Sequence, residues 1–159
     1  EAGVHAGVDL SGVRVAAAIQ GAGNLAACEV FNLGEPAPRV AAIWIDAPGQ
    51  IEADAAEEYL RSLDVLGEVS SVARGAVEIA LDGDTFRVSV PGMIALGGEA
   101  LPDRACCTMP EARWYPTLSA TSSSVVGVPT RCAFEGDVGP LGPWAFEEEN
   151  SVYVGRFGA

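Results

Sequence analysis

The stretch from Arg39 to Val90 constrains the fold most, because apolar spacing, segment length and turn residues agree there over one continuous run. Arg39–Asp46 (RVAAIWID) is almost continuously apolar, which predicts a strand covered on both faces. Ala47-Pro48-Gly49 turns the chain into an amphipathic helix over Ile51–Asp64. Ile51, Ala55, Tyr59 and Leu63 recur every fourth residue and form its inward stripe, while Glu52, Asp54, Glu57, Glu58 and Arg61 point outward. Gly67 ends this segment. Val72–Leu81 and Thr85–Val90 then read as two strands joined by a tight turn at Asp82-Gly83, so a hairpin follows the helix.

On either side the signals are shorter. Val13–Gln20 is an apolar run bounded by Gly12 and Gly21, as expected of a strand. Gly21-Ala22-Gly23-Asn24-Leu25-Ala26 matches GxGxxA, and Asp46 follows at about the 20-residue spacing of a ribose-binding carboxylate. A dinucleotide-dependent enzyme would need a helix opening after Gly23, its N-terminus turned to the pyrophosphate. Residues 24–33 suit a strand as well as two helical turns, and no further strand–helix–strand unit follows. The hairpin-turn reading is therefore preferred.

Beyond Met93–Leu96, a short strand, the composition shifts at Gly97 to a loop region punctuated by Pro102, Pro110 and Pro116. Val125–Phe134 reads as a strand interrupted at Pro129, which favours an edge or a bulge. Trp144–Phe157 should dock as a closing strand, with Trp144, Tyr153 and Phe157 as candidate partner-binding aromatics.

Charge narrows the function classes. The chain of 159 residues carries 22 acidic against 9 basic residues, a net −13, and every basic residue is arginine. Nucleic acid and anionic lipid are poor partners for such a surface, since binding either requires a basic face. No apolar run reaches the roughly 18 residues of a transmembrane segment. The sequence starts at Glu1 without an initiator methionine or a targeting leader, so either a leader was removed or upstream residues are missing, and the compartment stays open.

Candidate chemistry is sparse. Cys106, Cys107, Cys132 and Met109 are soft ligands that would suit copper or zinc in a thiol-based metal-handling protein. Adjacent cysteines on a strand point to opposite faces, so Cys106 and Cys107 can share an ion only in a loop. A disulfide from Cys132 to one of that pair is a further option, and buried or incidental cysteines are the plain reading. His5 is the only histidine, so a nucleophilic triad would rest wholly on it. Glu147-Glu148-Glu149 alternate sides on a strand and read as a wet face.

The order Gly7-Val8-Asp9-Leu10-Ser11-Gly12, a strand, Gly23-Asn24, a strand ending Ile45-Asp46 and a helix resembles the bacterial domain-of-unknown-function family 1326. The hairpin at Asp82-Gly83 and the ending Trp144…Glu149-Asn150-Ser151-Val152-Tyr153…Phe157 are similar too. The chain departs from that family in lacking its N-terminal cysteine-rich segment, and in a longer stretch between Gly23-Asn24 and Ile45-Asp46. The resemblance implies a fold, carries no established activity, and places Gly21–Asn24 in a strand connection.

Together these readings predict one α+β domain over residues 1–159: a mostly antiparallel β-sheet, as a sandwich or open barrel, with one main amphipathic helix. The leading functional expectation is a non-catalytic binding or assembly module, an accessory subunit that meets a protein partner or its own copies. The alternatives are thiol-based copper or zinc handling and dinucleotide-dependent catalysis.

Overall fold

A computed structural model of the chain describes residues 3–21, 38–63, 66–106, 124–147 and 152–155. They build an α+β fold of one helix and three sheets, mostly antiparallel, with no closed barrel among the described residues. At the N-terminus, β1 (Val4–His5) and β2 (Val8–Asp9) form a small hairpin that lies on the helix, where His5 packs against Tyr59 with ring centroids 5.3 Å apart.

A three-stranded sheet follows, in the order β3 (Arg14–Gly21), β4 (Arg39–Asp46), β5 (Glu68–Arg74). β3 runs antiparallel to β4, pairing Arg14 with Asp46 and Gly21 with Arg39. β4 runs parallel to β5, and α1 (Gln50–Arg61) crosses between them. The expectation that a hairpin follows the helix is therefore corrected: a parallel crossover comes first. Val72–Leu81 is two strands in two sheets, broken at Gly75–Val77, where Gly75 N–H donates to Ile45 C=O and Val77 N–H donates to the Asp46 carboxylate at 3.3 Å.

β4 is covered on both faces. Its odd-numbered side chains Ala41, Ile43 and Ile45 meet Ala53 and Ala56 of α1 together with Leu66. The expected stripe is borne out in part: Ala55 is buried and Leu63, just past the end of α1, packs on the same core, but Ala53, Ala56 and Leu60 also face it, while Ile51 in the first turn is 70% exposed. The inner face is built largely of alanine, with Ala53 and Ala56 buried against β4. Glu57 and Asp54 on the outer side hold Arg74 at 2.8 and 3.2 Å, which ties the end of β5 to the helix.

The even-numbered side of β4, Ala42 and Trp44, joins Ala16 and Ala18 of β3 against a second, six-stranded sheet. That sheet is a meander of β6 (Glu78–Asp82), β7 (Thr85–Val90), β8 (Ile94–Cys106) and β9 (Ser124–Phe134). β10 (Trp144–Phe146) and β11 (Val152–Gly155) pair with the far side of β9. The expected closing strand is thus present in two pieces on one strand edge. Residues 97–106, read from sequence as loop, extend β8, since cross-strand pairing outweighs the glycine and proline content there. Phe134, 1% exposed, is the bridge between the sheets, with its ring 5.9 Å from Trp44 and 6.3 Å from Trp144. Helix, small sheet and large sheet therefore stack as three layers.

Two register shifts share one device. On β5 the extra residue Ser70 donates its hydroxyl to Ala41 C=O at 3.1 Å, and on β9 Thr130 donates to Gly97 C=O, also at 3.1 Å. The second shift absorbs Pro129, as the proline predicts: position 129 falls between the stretches of β9 paired by β11 and β10.

Candidate functional site

Strand alternation decides what the large sheet shows to its surroundings. In β7, Phe86, Val88 and Val90 face the core side, so Thr85, Arg87 and Ser89 face outward. Pairing extends this outer face into rows: Ala80–Arg87–Gly97–Arg131 in the middle, Glu78–Ser89–Ala95 on one side, Asp82–Thr85–Glu99 on the other. The surface is a shallow trough of about 680 Å³.

Gly97 sets its floor. A Cβ built there would meet only Phe86 C=O at 3.6 Å and Thr130 Oγ1 at 4.0 Å, ordinary contact distances, so the missing side chain leaves open space above the strand. Arg87 and Arg131 stand on either side, their backbones about 10 Å apart across two strand spacings. Arg131 is held by Glu135 at 2.7 Å, whereas Arg87 has no ion-pair partner among the described residues. On a molecule of net charge −13, an open cation at the centre of a concave face is a group available to a ligand. The Thr130 bulge sets how Arg131 is presented, a common use of bulges at sites.

A second concavity lies at the carboxyl ends of β4 and β5, where open parallel sheets often hold ligands. Its charged groups are already engaged. Asp46 accepts from Val77 N–H and stands 3.6 Å from Arg14, and Arg74 is held by Asp54 and Glu57. Glu52 folds back over the start of α1, so that a Cβ at Gly49 would lie 2.7 Å from its carboxylate oxygen. The positive end of the helix thus has its own counter-charge.

The residues singled out from sequence are dispersed. Gly21 ends β3, which runs antiparallel to β4, whereas the dinucleotide fingerprint joins parallel strands; Ala22–Ala26 lie outside the described residues. Cys106 pairs with Ser124 at one end of β9 and Cys132 sits eight residues along it, roughly 26 Å away at strand rise. That is far beyond the roughly 7 Å Cα limit for a disulfide, and the two do not converge on one ion. Cys132 is a free, half-buried thiol whose pKa is raised by burial. Cys107 and Met109 lie outside the described residues, as does Phe157. Among the described residues, no three His, Cys, Asp or Glu side chains gather in a metal-binding group. Trp144 is half-buried against Phe134 and Phe146, and Tyr153 of β11 pairs with Val126 of β9. Beside Trp144, Phe146 is the more open ring, at 44% exposure.

Sequence reasoning missed Arg87, Gly97 and Arg131 as a group. The alternation of Thr85–Val90 already placed Arg87 outward, but its row partners depend on register. Among the described residues, no helix is long and apolar enough to cross a membrane. Comparison with protein-family models, curated proteins and solved structures finds no match for this chain.

Proposed function

We propose that this chain is a non-catalytic binding or assembly module that holds a protein partner on the outer face of its six-stranded sheet. The observation that carries the reading is the trough floored by Gly97 and flanked by Arg87 and Arg131. The face is wide and shallow, as protein-binding surfaces are, and lacks the enclosed shape of a small-molecule cavity. The helix and small sheet back it from behind, so it is presented on rigid elements. The resemblance of the Gly7–Gly12 and Trp144–Phe157 motifs to bacterial domain-of-unknown-function family 1326 belongs to the same proposal. It bears on the fold, with no activity to transfer.

The test is a peptide-display selection against the wild-type chain, followed by affinity measurement on Gly97→Leu. The new side chain rises into the trough from a strand position with room for its Cβ, so the fold is retained. Selected peptides that lose about tenfold or more in affinity support the reading. Peptides that bind both forms equally, or a selection that enriches nothing, contradict it.

A further inference from the structure

Among the described residues β6 is an edge strand of the large sheet with no neighbour beyond it, and every one of its five residues is exposed. The turn that joins it to β7 defines which backbone groups are unpaired. Gly83 holds φ +57 in the first position of a two-residue turn, the type II′ pattern, and Asp82 pairs with Thr85. In an antiparallel ladder, bonded and non-bonded pairs alternate, so Glu78, Ala80 and Asp82 direct their backbone groups to β7. The N–H and C=O of Ile79 and Leu81 therefore point away from the sheet, as a template for another strand.

The side chains specify what that strand would be. Ile79 and Leu81, 48% and 56% exposed, lie on the face of β6 opposite the trough. Glu78 and Asp82 bracket the strand on the trough side. A second copy of β6 added antiparallel about Ala80 would set Glu78 against Asp82 of the other copy twice, and like charges directly opposite repel. A strand with cations at those two places meets attraction at both. The added residues facing Ile79 and Leu81 would be apolar, to cover those side chains.

We propose that β6 accepts an extended segment of a partner protein by strand addition, with the pattern cation–apolar–any–apolar–cation. This rests on the reading of the large sheet as the partner-binding element, and adds where the partner enters and what chemistry it carries. Backbone bonds to Ile79 and Leu81 supply the attachment. Glu78 and Asp82 select the charge and disfavour a second copy of this chain in the register centred on Ala80.

The experiment uses the whole chain and two labelled peptides, acetyl-Ser-Lys-Val-Thr-Val-Lys-Ser-amide and its counterpart with glutamate in place of both lysines, followed by fluorescence anisotropy. Wild-type protein should bind the lysine peptide saturably, with at least about tenfold preference over the glutamate peptide. Glu78→Lys/Asp82→Lys, two exposed substitutions, should reverse that preference. Ile79→Pro should lose binding of the lysine peptide while its circular dichroism stays as in wild type, because proline removes an outward N–H that β7 does not use.

No saturable binding, equal binding of the two peptides, or an unreversed preference in the double variant each overturns the proposal. A wild-type dimer in light scattering that Ile79→Pro dissolves would assign the edge to a second copy and overturn it as well. If display-selected peptides lose affinity in Gly97→Leu but not in the β6 variants, this inference fails while the reading of the trough stands.

Discussion

Replacing Phe134 with alanine should cost more than any other single truncation in the large sheet. The ring is 1% exposed and lies where both sheets meet, touching Trp44 of β4 and Trp144 of β10. Removing a buried phenylalanine costs about 3–5 kcal/mol from lost transfer energy and the cavity left behind. Each tilted aromatic pair contributes about 0.5–1.5 kcal/mol beyond buried area. The pairs overlap with the truncation figure, so about 4–5 kcal/mol is the working value. With a urea slope of about 2 kcal/mol/M, the unfolding midpoint should fall by about 2 M. Urea titration followed by tryptophan fluorescence reads this directly, because two of the ring's contacts are tryptophans. Phe146→Ala, which removes a ring 44% exposed on the same sheet, is the internal control and should cost about 1 kcal/mol or less. Equal midpoint shifts for the two variants would refute the bridging role of Phe134.

Three further predictions come from single contacts. Gly67 and Gly83 both hold left-handed backbones, at φ +62 and +57, but a Cβ at 67 would lie 2.5 Å from Arg39 C=O, whereas nothing lies within 4 Å at 83. In urea unfolding, Gly83→Ala should cost about 1–2 kcal/mol and Gly67→Ala clearly more, and equal costs would contradict the geometry. Arg74→Ala should cost about 1 kcal/mol or less, since its partners on α1 are solvent-accessible, and the difference should shrink in 1 M salt, about the range where screening becomes short. Burial raises the Cys132 thiol above its ordinary pKa, so the unfolded chain ionises first. The corresponding stability is full below the ordinary thiol range and is lost as pH rises through the raised pKa. Iodoacetamide labelling read by mass spectrometry should modify Cys132 more slowly in native protein than in urea, and equal rates would contradict this.

Much of the fold was legible because local signals agreed with their surroundings. Arg39–Asp46 is apolar on both sides and is covered on both, and the hairpin turn falls within Asp82-Gly83-Asp84 as expected, with Gly83-Asp84 as its two loop residues and Asp82 still in the strand. Pro129 announced the bulge beside it at Thr130. Only the end of β5 was legible, as the start of the Val72–Leu81 strand, because Glu68 and Ser70 give its first half a loop-like composition; its place beside β4 follows from the crossover of α1. The helix stripe was legible in part: Ala55 and Leu63 turn inward as their spacing implies, whereas Ile51 at the helix start is exposed and Ala53, Ala56 and Leu60 complete the buried face. The candidate site was the least legible part. Arg87, Gly97 and Arg131 come from three strands, and a one-residue change of register would turn any of them to the other face.

Amide hydrogen exchange with the lysine peptide at saturation tests most directly whether the large sheet holds a partner, and whether the partner adds as a strand at β6. Ile79 and Leu81 should slow on addition of peptide, while Ala80, already directed to β7, keeps its rate. Unchanged exchange at Ile79 and Leu81, or protection confined to β10 and β11, would contradict the account.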